Sequence, residues 1–264
     1  MDFESAIFRY FELPIFYELL IGAFLFWLLS LVLKRVDFVD VLWGTAFVYV
    51  AIRAYLMLPI SGAMDFIFTF LVVLWGLRLA GYLFLRMKPQ EDKRYQGFRE
   101  KYGKNRYWWI SLFQTFFLQA ILVFLISKTL RIFYFSIKEL SFFTCFFFFL
   151  GLIVWVVGFV FETIADYQLY QFKKKSRGLC TQGLWGVSRH PNYFGEFVVW
   201  WGFGLMAFST FSFGAFVGPI IVSFLLLRVS GVPMLDRHMK SRSGFDHYKG
   251  EVPKFFPRRF NIFK

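Results

Sequence analysis

Phe142-Phe-Thr-Cys-Phe-Phe-Phe-Phe-Leu150-Gly-Leu-Ile-Val-Trp155-Val-Val-Gly-Phe-Val160-Phe161 runs twenty residues without a charge, then meets Glu162 and Asp166. About 20 apolar residues are what an α-helix needs to cross the hydrocarbon core of a bilayer. The run from Phe142 to Leu150 is almost pure Phe, which suits lipid-facing or packing surface and not a binding box. Similar runs occupy roughly 15–33, 38–58, 64–86, 108–127, 192–209 and 213–229, so the sequence predicts seven spans joined by short loops.

Composition agrees with this reading. The 264 residues are 58% hydrophobic and 24% aromatic, with 41 Phe, more apolar surface than a soluble domain of this length could hide. The expected fold is all-α: one polytopic transmembrane domain over 1–264, about seven helices, with a cofactor pocket on the cytoplasmic side. The acidic start (Asp2, Glu4, Glu12) lacks the basic region of a secretory signal peptide, so the first helix is expected to stay as an anchor. Cys145 and Cys180 fall on opposite sides of the membrane in this layout and cannot pair within one chain.

The net charge of +13 follows the loops. Loop 34–37 holds two Lys or Arg, loop 86–107 eight, loop 172–191 five, and the segment from Arg228 nine. The alternate loops hold Arg9, none at 59–63, three in 128–141 and none at 210–212. Basic loops stay in the cytoplasm, so this alternation places the amino terminus outside and the carboxy terminus inside. A bacterial inner membrane is the expected location. The basic excess is read as topology and attraction to anionic ligand or lipid; no nucleic-acid partner and no obligate protein partner are expected.

Polar residues within the spans gather towards one end. Asp40, Arg78, Glu162, Asp166, Asn192, Glu196 and Arg228 are all placed near the cytoplasmic side. Such groups are costly in a bilayer and mark a site or a pairing network. Glu162, Asp166, Tyr170 and Lys173 are spaced 4, 4 and 3, one stripe on a continuing helix. The two carboxylates need cations or donors between them, which Arg78, Arg189 and Arg228 can provide. Pro191 suits the first position of a helix that would carry Asn192 and Glu196 on one face.

Several motifs fail. Gly202-Phe-Gly204-Leu-Met-Ala207 fits a dinucleotide fingerprint by letters but lies inside an apolar run with no preceding strand, where small residues instead let helices approach. Three His and no spaced Cys pair leave no metal site, and His190 is expected to hydrogen-bond. No Gly-x-Ser-x-Gly elbow occurs.

Ser188-Arg-His-Pro-Asn-Tyr-Phe-Gly-Glu196, followed by Arg228-Val-Ser-Gly-Val-Pro233, resembles the steroid 5-alpha-reductase superfamily, closest to its uncharacterised bacterial membrane relatives (a domain-of-unknown-function branch). The likeness runs from about Asp40 to Pro257 and is strongest after Phe161. It implies a membrane enzyme that binds NADPH and reduces a carbon–carbon double bond of a lipophilic substrate, sterol-like, polyprenyl or an enone lipid. Family cofactor roles carry onto Asp166, Asn192, Glu196 and Arg228. Glu162 stands where the steroid enzymes have Asn, Lys173 where they have Arg, and Val232 and Asp236 where they have His and Tyr. The Asp92-x-Arg94-Tyr95 element is similar to one in the bacterial relatives. The candidate cofactor set is completed by Arg78, Arg189, His190 and Tyr193. The steroid enzymes polarise a ketone with a Glu on the second helix, but no Glu lies between Glu18 and Glu91 here. Tyr49, Tyr55 and Tyr82 are candidate proton donors, Tyr82 being nearest the polar cluster.

Two other readings compete. The Arg-His-Pro core also occurs in S-adenosylmethionine-dependent lipid methyltransferases, but Leu235-Asp236-Arg237 lacks the paired acids that class tends to place there. A non-catalytic membrane protein with a relic cofactor site is the second. For the layout itself, single cysteines placed in loop 34–37 and near Lys264 should label only from the cytoplasmic side. A carboxy-terminal cysteine reached from outside the cell would overturn it.

Overall fold

The computed structural model describes residues 3–58, 60–136, 140–176 and 178–258. Of the basic positions counted above, Lys138, Arg177, Arg259 and Lys264 lie outside them. Among the described residues the chain is helical with no strand, and it divides into two compact units, 1–137 and 138–264.

The first unit contains α1 (Phe3–Leu33), α2 (Val39–Leu56), α3 (Ala63–Arg86), α4 (Lys93–Tyr102), α5 (Lys104–Ser111), α6 (Leu118–Ile126) and α7 (Lys128–Phe135). A π-helical turn, Leu112–Phe117, makes α5 and α6 one continuous rod. Helices α2 and α3 touch backbone to backbone at Gly44 and Gly76: a side chain on Gly76 would lie 2.7 Å from the Gly44 carbonyl. Lys34 ends α1 in the left-handed conformation, at φ 55°.

Two stretches read as loops are helical. Within 86–107, α4 forms because the Asp92 side chain accepts from the Arg94 N–H at 2.9 Å, capping the first turn. Hydropathy could not show it, since α4 is mostly polar. Within 128–141, α7 forms around Arg131, only 1% exposed. Its guanidinium pairs with Glu12 at 3.2 Å and donates to the Phe124 carbonyl and Ser127 Oγ, each at 2.7 Å. A buried cation needs this full set of partners.

The second unit holds α8 (Phe142–Lys175), α9 (Pro191–Ala207), α10 (Val217–Phe224), α11 (Val232–Met239) and α12 (Phe245–Glu251), with a π-helical turn, Leu225–Val229, extending α10. Ser141 caps α8 by accepting from the Thr144 N–H at 3.1 Å. Helices α8 and α9 form its spine. A Cβ on Gly195 would lie 2.6 Å from that of Glu162, and one on Gly202 2.7 Å from that of Trp155. Gly151 and Gly158 of α8 meet α9 in the same way. The small residues of the rejected fingerprint thus serve helix approach.

Six helical segments among the described residues are long and apolar enough to cross a membrane: Tyr10–Leu33, Val39–Leu56, Ala63–Arg86, Asn105–Phe135, Phe142–Lys175 and Phe213–Arg237. The chain is an integral membrane protein of the polytopic all-α class. The expected seventh span, 192–209, corresponds to α9, which at 17 residues is about 25 Å long. Pro191 opens it after a packed loop, and a 3-10 turn, Phe208–Thr210, follows its end.

The glycine contact between α8 and α9 makes a specific expectation. Gly202→Leu must push α9 off Trp155 and should destabilise the detergent-solubilised protein by about 1–3 kcal/mol. Gly81→Leu is the control, because no atom lies within 4 Å of a Cβ there. Equal thermal midpoints for the two variants would refute the packing.

Candidate functional site

The polar residues of the second unit are positioned by the α8–α9 contact. With Gly195 resting on Glu162, the next α8 turn puts Asp166 against Asn192, whose Nδ2 donates to Asp166 Oδ1 at 3.2 Å. Glu162 and Asp166 are both buried. Lys173, farther along the same stripe, is exposed, and Lys174 lies over the Tyr170 ring at 4.2 Å.

The loop before α9 is fixed from two sides. Gly183 adopts φ 61°, and a side chain there would strike the Gln168 amide at 2.6 Å, so glycine alone suits this turn. Gln168 Oε1 accepts from the Leu184 N–H at 2.9 Å, and the buried Trp185 indole donates to the Ala165 carbonyl at 3.0 Å. On its other side, the Tyr248 hydroxyl donates to the Trp185 carbonyl at 2.6 Å. The Arg189 N–H donates to the Pro253 carbonyl at 2.9 Å and Ser188 Oγ to that of Phe255 at 2.7 Å. The residues after α11 therefore clamp the Arg-His-Pro loop.

Arg189 and His190 emerge from this clamp, and both meet Asp236 of α11. Arg189 Nη1 is 3.1 Å and His190 Nε2 2.9 Å from Asp236 Oδ1. Burial pushes the His190 imidazole down to about 4, against the pull of the Asp236 hydrogen bond, so it is neutral at pH 7. A carboxylate can only accept, so Nε2 carries the proton and Nδ1 is left as an acceptor. That Nδ1, Arg189 Nε and Asn192 Oδ1 are buried without a hydrogen-bond partner among the described residues. The His190 ring also stacks parallel to Tyr193, centroids 5.9 Å apart.

Of the three arginines that could stand between the carboxylates of α8, Arg189 instead pairs with Asp236, a long-range partner 47 residues away. Asp236 departs from the steroid-enzyme pattern, so the resemblance does not point to it. Only a carboxylate opposite two adjacent basic residues would have marked it, a signal visible once the fold brings them together. Arg228 lies in the π-helical turn, exposed and without an ion pair among the described residues. Glu196 sits one turn beyond Asn192 on α9, partly buried. No group of three metal-ligating side chains occurs among the described residues.

The first unit gathers its own polar cluster. Asp40 receives Arg94 Nη2 on one oxygen and the Tyr95 hydroxyl at 2.8 Å on the other. Arg94 Nε returns to Asp92 at 2.9 Å. Burial works against the Arg94 charge, but Asp40 and Asp92 outweigh it and hold the guanidinium protonated. Burial, reinforced by Asp40, raises the Tyr95 phenol well above its ordinary value, so it stays a donor. Arg78 is partly buried on α3, and Tyr82 one turn on has Arg86 over its ring at 5.2 Å.

Known proteins place the chain. The family model described as "Protein of unknown function (DUF1295)" matches residues 26–252. Among curated proteins, the chain is similar to steroid 5-alpha-reductase DET2 of Gossypium hirsutum, 37% identical over 70 residues, 25% of this chain and 27% of the relative. The chain thus spans about a quarter of the length of that curated relative. No solved structure matches. With most of its length matched, the chain belongs to the DUF1295 family, and its partial likeness to a steroid 5-alpha-reductase fits the superfamily resemblance of the Ser-Arg-His-Pro-Asn-Tyr-Phe-Gly-Glu segment.

Proposed function

We propose that this protein is a membrane-embedded reductase that takes NADPH at the α8–α9–α11 cluster and reduces a carbon–carbon double bond of a lipophilic substrate. A bacterial inner membrane, with the cluster on the cytoplasmic side, belongs to the same proposal. The observation that carries it is the pairing of buried Asp166 with the half-buried Asn192 beside the loop of Arg189 and His190, on residues that the superfamily resemblance assigns to the cofactor.

The residues present suit a dinucleotide. Three buried polar atoms, one donor and two acceptors, are left for a ligand by Arg189, His190 and Asn192. Desolvated groups of this kind favour a partner that completes their hydrogen bonds. Arg228 and Lys173 are exposed cations for phosphate, Arg228 with the planar fork that grips two oxygens at once. NADPH would supply the hydride. The protein's part is to hold, orient and protonate. Asp166 fixes the Asn192 amide so that its oxygen stays available as an acceptor. Asp236 holds Arg189 and the neutral His190 in place through one carboxylate. Glu196 is a further contact on the same helix.

Thermal shift of the detergent-solubilised protein with NADPH, NADH and S-adenosylmethionine tests the reading. A ligand at 100 times its Kd stabilises by about 2.7 kcal/mol, which is easily read. NADPH should stabilise and S-adenosylmethionine should not; the reverse outcome would make the chain a methyltransferase. Asn192→Ala should weaken NADPH by roughly tenfold, the value of about one hydrogen bond to a charged or buried partner.

Arg228→Lys separates a phosphate contact from a general charge. It keeps the cation and loses the fork, so NADPH affinity should fall by several-fold while the midpoint without ligand stays put. An unchanged NADPH titration in both Asn192→Ala and Arg228→Lys, with the fold intact, would remove the site from this cluster.

A further inference from the structure

The first unit carries an open groove of about 640 Å³, independent of the cofactor reading, lined by Trp27, Trp108, Trp109, Lys34 and Asn105 among others. A second hollow of about 550 Å³ shares Asn105 and is lined by Tyr102, Gly103 and Arg106. Asn105 is a wall of both, the first mostly apolar and aromatic and the second more polar.

Their place along the helices is informative. The apolar span Tyr10–Leu33 ends one residue before Lys34, and the span Asn105–Phe135 begins at Asn105 itself. The two ends lie together, because the Trp27 indole donates to the Trp108 carbonyl at 2.8 Å. The groove therefore straddles the boundary between hydrocarbon and water, with three indoles and Lys34 on its walls and Arg106 on the wall of the hollow that shares Asn105. Trp belts occupy this depth in membrane proteins. Trp109 keeps 64% of its surface exposed here.

The cations differ from their neighbours. Arg35 is held by Asp37 at 2.8 Å, Arg99 by Glu91 at 2.7 Å, and Arg94 by Asp40 and Asp92. Lys34 and Arg106 are exposed and have no ion pair among the described residues. Of the nearby carboxylates, Asp37, Asp40, Glu91 and Asp92 are engaged by other arginines, and exposed Glu100 pairs with neither cation. Two positive charges thus remain beside an aromatic trough that a hydrocarbon chain can fill.

We propose that this groove binds one anionic phospholipid, its acyl chain against Trp27, Trp108 and Trp109 and its phosphate between Lys34 and Arg106. An uncharged lipid satisfies the trough but leaves both cations without a counter-charge. A soluble phosphate satisfies the cations but leaves the trough bare. A lipid with an anionic head meets both. Each basic residue near a membrane surface favours anionic lipid by roughly fivefold.

Bromine on an acyl chain quenches nearby Trp fluorescence, which gives a direct reading. The full chain is reconstituted in phosphatidylcholine vesicles containing an equal fraction of either brominated phosphatidylglycerol or brominated phosphatidylcholine. Wild type should be quenched more by the phosphatidylglycerol, on the order of fivefold in relative affinity for each cation engaged. Trp109→Phe should lose much of that difference. Lys34→Gln/Arg106→Gln should bring the ratio near one, and Arg237→Gln/Lys240→Gln, which removes two exposed charges elsewhere, should keep it. Equal quenching of wild type by the two lipids overturns the site without needing any variant. So does a preference that survives in the Lys34/Arg106 variant, or one that the Arg237/Lys240 control loses equally, since that would be general attraction to the vesicle surface.

Discussion

The contact between α8 and α9 is the constraint on which the candidate site depends. Glycines at 151, 158, 195 and 202 let two backbones touch, and no larger residue fits without moving one helix. In a bilayer the hydrophobic effect does not drive helices together, so close van der Waals packing must. The same closeness sets the chemistry. Because Gly195 rests on Glu162, the side chains one turn away, Asp166 and Asn192, are within hydrogen-bond reach. A wider crossing would leave a buried carboxylate without its amide partner, at a cost far above that of the missing methyl groups. Packing and polar satisfaction are therefore one requirement in this unit.

A second dependence runs through Asp236. One carboxylate oxygen accepts from Arg189 and His190, whose backbone is clamped by the segment around Pro253 and Phe255. The arrangement settles a protonation state. His190 is fully buried beside a guanidinium, and a second positive charge there would face both desolvation and repulsion. The imidazole stays neutral, donates through Nε2 and presents Nδ1 as an acceptor. Substituting Asn for Asp236 would weaken the counter-charge on Arg189, so the two basic residues and the acid form a set.

The legible part of this protein was the part written in short range. Uninterrupted apolar runs marked the long helices to within a few residues, as at Ala63–Arg86 and at the start of α8. Pro191 marked the start of α9, and glycines in an apolar run marked a packing face. The missed elements were a helix too polar for hydropathy to mark and contacts between partners far along the chain. Helix α4 is polar, and its register is held by Asp92 as cap and by Asp40 beyond it. Helix α7 depends on Glu12, 119 residues from Arg131. The ion pair of Arg189 with Asp236 is of the same kind. Hydropathy reports the solvent of a segment, while these contacts report its neighbours.

That distinction also bears on how the positive charge is to be understood. A net charge of +13 reads first as a topological signal, and a loop-by-loop count cannot separate cations that serve topology from those that bind. Pairing can. Arg35, Arg94 and Arg99 are each locked to carboxylates, and Arg131 is buried with Glu12. These residues spend their charge inside the protein and attract little from outside. Lys34, Arg106 and Arg228 are exposed and have no such partner among the described residues. Lys34 lines the aromatic trough, Arg106 the hollow that shares Asn105 with it, and Arg228 lies in the π-helical turn near the end of an apolar span. The paired cations hold the loops, and both proposed anion sites rest on the unpaired ones.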